Sequence, residues 1–287
     1  MLKIDFGYFL PTFVKTFPKM IEYIQKFDSF CNLKNGLKDP IAIKEQNAFM
    51  LKFEDEFQLF SEEWNCLKKS KSQSINRHII RFFVQIFHDD DFKNLQENTK
   101  NLILWTSLLH DIGKRGFPYI QNSDRDPFHS FTSGALALKI ISRYVKIEKI
   151  DKINALSDFI KNAFIIKTDI NNNSLEYCDT SKLDQILCDL EIIFKRNTDL
   201  YLMIKLILLH QSLDVISDYP PMAPLSEEQV CNYCDIEFIK LLKILCVADS
   251  TSYHLNSPEE MNYYQNLLNE GFDKLKKKII SHTNKNA

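Results

Sequence analysis

The amino-acid sequence predicts an all-α fold, and three observations carry that prediction. Only 6 of the 287 residues are glycine, too few for a sheet with tight hairpins, whose turns rely on positive φ. Apolar residues recur at steps of three and four through most of the chain, the period of a helix face. No segment shows a clear strand pattern.

The elements follow in order. Phe13, Phe17, Ile21, Ile24 and Phe27 mark one face of a helix over residues 13–27. NGLKDP (35–40) is a loop, and 49–67 is a second amphipathic helix. The serine-rich KKSKSQS (68–74) is a linker or the cap region of the next helix. That helix, 74–87, carries Ile75, Ile79, Phe82, Phe83 and Ile86 on one side. Residues 99–110 are almost wholly apolar and predict a buried helix. Residues 112–127 read as an irregular loop, 129–145 and 150–166 as helices, and 168–181 as a polar loop. Helices are predicted over 183–194 and 199–211. DYPPMAP (218–224) is extended, because its three prolines cannot continue a helix. Ser226 to Gln229 fits a capping box opening a single helix to Ser250, and Pro258 to Ile280 closes the chain before a polar tail.

Composition narrows the function. With 45% hydrophobic residues and 22 Phe, the chain has too much apolar bulk to stay disordered. The balance of 36 Lys+Arg against 38 Asp+Glu argues against gripping nucleic acid by net charge, although a local basic groove stays open. The longest apolar run, Leu200 to Leu209, is about half the ~20 residues of a membrane span and contains Lys205. The N-terminus lacks the pattern of a secretory signal. Seven scattered cysteines do not make a disulfide framework. These readings together predict a cytoplasmic protein with reduced thiols. Cys231 and Cys234 form one CxxC, but no second pair or nearby His completes a zinc site, so they read as structural.

Except for His78 and His129, the chemistry-bearing residues lie at the tip or in the interior of strongly apolar helices. His110 and Asp111 close NLILWTSLLH, where a carboxylate is costly to bury without a partner; a metal ion suits both side chains. His78 lies on the 74–87 helix and His210 ends LMIKLILLH. Asp249 follows LLKILCVA, and His129 opens a helix in DPFHSFTSGA. Each alone is compatible with packing; packing does not readily explain the set in this order. His88-Asp89 sits in the acidic run HDDD and reads as a solvated turn. His254 falls on a different helix face from Asp249, and His282 is in the tail. Tyr233, Tyr253, Tyr263 and Tyr264 read as packing residues.

With His78, LLHDIGK (108–114), His129, His210 and the ADS at 248–250, the chain resembles the HD superfamily of metal-dependent phosphohydrolases, whose pattern is H…HD…D on a helical core. The resemblance spans roughly residues 74–255. It implies an HD-type domain over 71–287 behind an N-terminal helical extension, 1–70. The glycines of the HD-GYP subgroup are absent, as is any nucleotidyltransferase signature.

The resemblance implies one or two divalent ions held by His78, His110, Asp111, His129, His210 and Asp249, with Asp111 shared between the two. Mixed imidazole and carboxylate ligands suit Mn, Fe, Co, Ni or Zn better than Mg. The implied activity is hydrolysis of phosphate esters of a small substrate, a nucleotide foremost, by metal-activated hydroxide. Asp111 and Lys114 would be catalytic, and Lys114, Arg115 and Arg125 would contact phosphate; arginine suits that task, and only six are present against thirty lysines. The alternatives are a nuclease or cyclic-nucleotide phosphodiesterase on the same scaffold, or a non-catalytic signalling module.

Overall fold

The computed structural model describes residues 10–19, 74–114, 126–144, 149–169, 175–216, 220–255 and 257–286, with isolated positions 22, 24 and 26. Among these residues the chain is all-α, with eleven helices and one short hairpin. The helices are α1 (Phe13–Thr16), α2 (Ser74–His88), α3 (Asp90–Lys93), α4 (Glu97–Leu109), α5 (His129–Tyr144) and α6 (Ile150–Ala163). After the strands β1 (Ile166–Asp169) and β2 (Leu175–Cys178) come α7 (Leu183–Phe194), α8 (Asp199–Leu209), α9 (Glu227–Tyr233), α10 (Ile236–Ser252) and α11 (Pro258–Asn286).

The two most apolar helices form the centre. Every residue from Leu102 to Leu109 of α4 is buried, and α8 is buried along nearly its whole length. Helix α8 packs on α4 and α5, α5 on α6, and α10 on α2 and α11. Lys205, which interrupts the apolar run of α8, is buried and held by neutral groups. Its Nζ donates to the Tyr233 carbonyl at 2.5 Å and lies 4.2 Å from the Phe238 ring centroid, so one ammonium caps the end of α9 and rests on an aromatic face.

Leu10, Phe13, Phe17 and Ile24 belong to the same core. Phe13 meets Trp105 edge-on at 5.5 Å. The Trp105 Nε1 donates to the Pro11 carbonyl at 2.7 Å, and the Phe13 amide donates to Asn101 Oδ1 at 2.6 Å. Ile21, Phe27 and the predicted 49–67 helix lie outside the described residues.

Three boundaries depart from expectation. The helix predicted over 150–166 ends at Ala163, and the supposed polar loop contains an antiparallel hairpin pairing Ile166 with Cys178 and Asp169 with Leu175. At the exit Phe164 is extended and its ring stacks on Phe131 at 3.7 Å. The Cys178 amide then donates to the Met222 carbonyl at 2.8 Å, tying the hairpin to the proline-rich segment.

The single helix expected from Ser226 to Ser250 is two. Cys234 is extended and Asp235 caps a new helix, its carboxylate accepting from the Phe238 amide at 2.8 Å. The predicted capping box at Ser226 and Gln229 is present. Helix α11 runs past Ile280 to Asn286. Among the described residues no helix is long and apolar enough to cross a membrane.

Candidate metal centre

The helix ends converge. His78 comes from the middle of α2, His110 and Asp111 from the end of α4, His129 from the first residue of α5, His210 from the end of α8, and Asp249 from the last turn of α10. Two groups of candidate ligand atoms result: His78, His110, Asp111 and Asp249, and Asp111, His129 and His210. Within each group the atoms all lie within 4.8 Å of one another. The sequence-predicted ligands are thus brought together, five buried and Asp249 nearly so.

Asp111 joins the groups through its two oxygens. Its Oδ1 lies 3.4 Å from His129 Nε2 and 3.8 Å from His210 Nε2. Its Oδ2 lies 3.4 Å from His78 Nε2 and 3.8 Å from His110 Nε2. Asp249 Oδ1 is 2.9 Å from His78 Nε2 and 4.0 Å from His110 Nε2.

The backbone sets the tautomers. The Nδ1 of His110, His129 and His210 lie 2.8, 2.5 and 2.7 Å from the carbonyls of Ser107, Asp126 and Ile207, in each case three residues earlier. A carbonyl only accepts, so Nδ1 must carry the proton in all three rings. Their Nε2 lone pairs then point into the cluster, the arrangement of metal-ligating histidines whose other nitrogen is fixed by a hydrogen bond. His78 follows the same logic. Ser252 Oγ gives its proton to the Asp249 carbonyl at 2.7 Å and so accepts from His78 Nδ1 at 3.0 Å.

Two consequences test whether this donor set fits a cation. His129 and His210 present Nε2 to Nε2 at 3.1 Å, and two lone pairs at that separation repel unless positive charge lies beside them. In addition, the buried His110 Nε2 and Asp111 Oδ1 have no hydrogen-bond partner, and His78 Nε2 and Asp249 Oδ1 approach each other at 2.9 Å. Buried polar atoms are normally satisfied. A divalent ion accounts for both, and the arrangement is compatible with an HD-type metal site.

The electrostatics agree for His110, His129 and the two carboxylates. Burial pushes the His110 imidazolium down to about 4 and that of His129 to about 3, so both are neutral ligands near pH 7. Burial works to raise the Asp111 carboxyl, but Lys114 and the surrounding imidazoles outweigh it and hold it well below the usual carboxylate range. Asp249 is likewise held low against burial, chiefly by His78. Burial works to lower His78, but the Asp111 and Asp249 carboxylates outweigh it and hold it above its ordinary value.

Lys114 is folded back onto the site. Its Nζ donates to Asp111 Oδ2 at 3.0 Å and to the Tyr253 hydroxyl at 3.3 Å, and Asp111 holds its pKa above the ordinary value despite burial. Arg115 and Arg125 lie outside the described residues.

Of the features set aside, His254 pairs with Glu260 at 2.9 Å and stacks on Tyr264, and Asp89 caps α3. Cys231 and Cys234 are free thiols and belong to neither ligand group.

The supporting residues were not foreseen. Gln211 Nε2 donates to Asp249 Oδ2 at 3.0 Å, Ser252 orients His78, and Tyr253, read as packing, stacks on His78 at 4.6 Å. One signal was available: a histidine at a helix C-cap has the carbonyl three residues back within reach, as His110 and His210 both do. Comparison of the chain with protein-family models, curated proteins and solved structures returned no match.

Proposed function

We infer that the protein is a metal-dependent phosphohydrolase that cleaves phosphate esters of a small substrate, a nucleotide foremost. The observation that carries this reading is the convergence of four imidazole Nε2 atoms on two carboxylates, with Asp111 common to both groups. His78, His110, Asp111 and Asp249 would hold one ion; Asp111 would share a second with His129 and His210. Bound divalent ions would supply a water of lowered pKa and offset charge on phosphoryl oxygens.

The chain's own residues do the rest. Asp111 spaces the two ligand groups and anchors Lys114. The Lys114 ammonium, whose side chain keeps 18% of its surface exposed, is placed to meet a phosphate oxygen arriving from solvent. Arg115 and Arg125 would add phosphate contacts. Phe82, packed on the His110 ring at 4.3 Å, helps keep bulk water from the inner side of the cluster.

The test is a panel of p-nitrophenyl phosphate and nucleoside mono-, di-, tri- and cyclic phosphates, run with Mn, Fe(II), Co, Ni, Zn and Mg. The expected outcome is metal-dependent turnover of at least one small ester, and loss of both metal and turnover in Asp111→Ala with the helical circular dichroism intact. Full activity in Asp111→Ala would overturn the assignment. Metal binding without turnover on any ester would favour a non-catalytic signalling module.

A further inference from the structure

Tyr253 ends α10 beside the cluster. Its ring lies nearly parallel to the His78 imidazole, with centroids 4.6 Å apart and an interplanar angle of 20°. Its hydroxyl accepts from Lys114 Nζ at 3.3 Å. These contacts occupy one face and one point of the rim, yet the residue remains 54% exposed. A large aromatic oriented by two site residues and still half in water is a pre-ordered surface, and a ring that stacks on it loses little freedom in the protein on binding.

We propose that Tyr253 is a stacking platform for a planar aromatic ring of the substrate, so that the site takes phosphate esters bearing a nucleobase in preference to sugar or alkyl phosphates. The proposal rests on the phosphohydrolase reading and narrows its substrate class. Charge placement gives the orientation. The Lys114 ammonium lies at the hydroxyl rim of Tyr253, 6.0 Å from the ring centroid, and also on Asp111. A phosphoryl group drawn to Lys114 and the cluster therefore sits at one edge of the platform. A nucleoside monophosphate, whose ribose separates phosphate from base, can place its base on the exposed part of the ring. A sugar phosphate reaches only the cluster.

The test is calorimetric binding of adenosine 5′-monophosphate and ribose 5-phosphate to the Mn(II)-loaded full chain at low temperature, with both ligands checked for integrity afterwards. Stacking of a base on an aromatic side chain predicts a preference of about tenfold for the nucleotide. Tyr253→Leu should abolish that preference and Tyr253→Phe, which keeps the ring, should retain it. The ratio of the two affinities cancels any loss common to both ligands, including one transmitted through His78. Equal affinities in the unmodified protein, binding of neither ligand, or a preference that survives Tyr253→Leu overturns the platform. Hydrolysis, measured separately, distinguishes the two readings: turnover of both esters without a binding preference defeats the platform alone, and preferential binding without turnover of any ester defeats the phosphohydrolase reading alone.

Discussion

At the scale of single residues, the proton inventory decides most. Three imidazoles give their Nδ1 protons to carbonyls three residues earlier, and a fourth gives its own to Ser252. That leaves the cluster rich in lone pairs and carboxylate oxygens, and it has a pH consequence for the metal-free protein. Burial depresses His110 and His129 below their unfolded value of 6.5. The unfolded chain therefore binds protons that the folded chain refuses. Their contribution to stability is present above pH 6.5 and is lost as pH falls toward about 4, by up to ~1.4 kcal/mol per pH unit for each group. His78, raised in the folded state, acts oppositely: its contribution is complete below pH 6.5 and is lost as pH rises through its folded value. Two groups outweigh one. Urea denaturation of chelator-stripped protein should show stability lower at pH 5 than at pH 7 by roughly 2–3 kcal/mol. Equal or greater stability at pH 5 would mean that these rings are not held neutral by burial.

At the scale of elements, five of the six candidate ligands sit at or near helix ends, so anything that shifts such an end shifts the site. The turn after α4 is pressed against α5 at Gly113. A Cβ there would lie 2.4 Å from the Ser133 backbone nitrogen and 2.6 Å from the Thr132 carbonyl carbon, and the Gly113 amide donates to Ser133 Oγ at 2.9 Å. Backbone cannot swing aside as a side chain can. Gly134 is a built-in control, because its added Cβ would meet only the flexible end of Leu208. Gly113→Ala should therefore cost about 1–3 kcal/mol in overpacking and weaken metal binding by moving Asp111 away from His129; Gly134→Ala should cost less and leave metal affinity near normal. Thermal melts and metal titrations of the two variants check this, and equal effects would contradict it.

The same scale shows what sequence reading can and cannot see. The long helices were legible because each carries an unbroken apolar period; of the six candidate ligand positions, His110, Asp111, His210 and Asp249 stood out because they interrupt or end such a run, and His78 and His129 only through the family resemblance. The hairpin was not legible: four-residue strands offer almost no alternation, and the contact of Phe164 with Phe131 at the exit from α6 is made across space. Nor was the break at Cys234, where apolar residues continue on both sides and only the Asp235 cap marks a new start. Tyr253 was missed because an aromatic just past a helix looks the same whether it fills a core or rims a site.

At the scale of the whole molecule, the described part of the N-terminal seventy residues is load shared with the rest of the core. Phe13 is 1% exposed and touches Phe17, Phe83 and Trp105. Phe13→Ala should cost about 3–5 kcal/mol and lower the melting temperature by roughly 10 °C, with metal stoichiometry unchanged, because Phe13 is in neither ligand group. A negligible shift would show that this segment is dispensable to the fold. The central claim concerns the cluster itself and is tested most directly by anomalous diffraction from crystals soaked in Mn(II) or Co(II). The account predicts a peak about 2.0–2.3 Å from the Nε2 atoms of His78 and His110, among Asp111 and Asp249, and allows a second beside His129 and His210. A saturated crystal with no peak there, or with its peaks elsewhere, would contradict it.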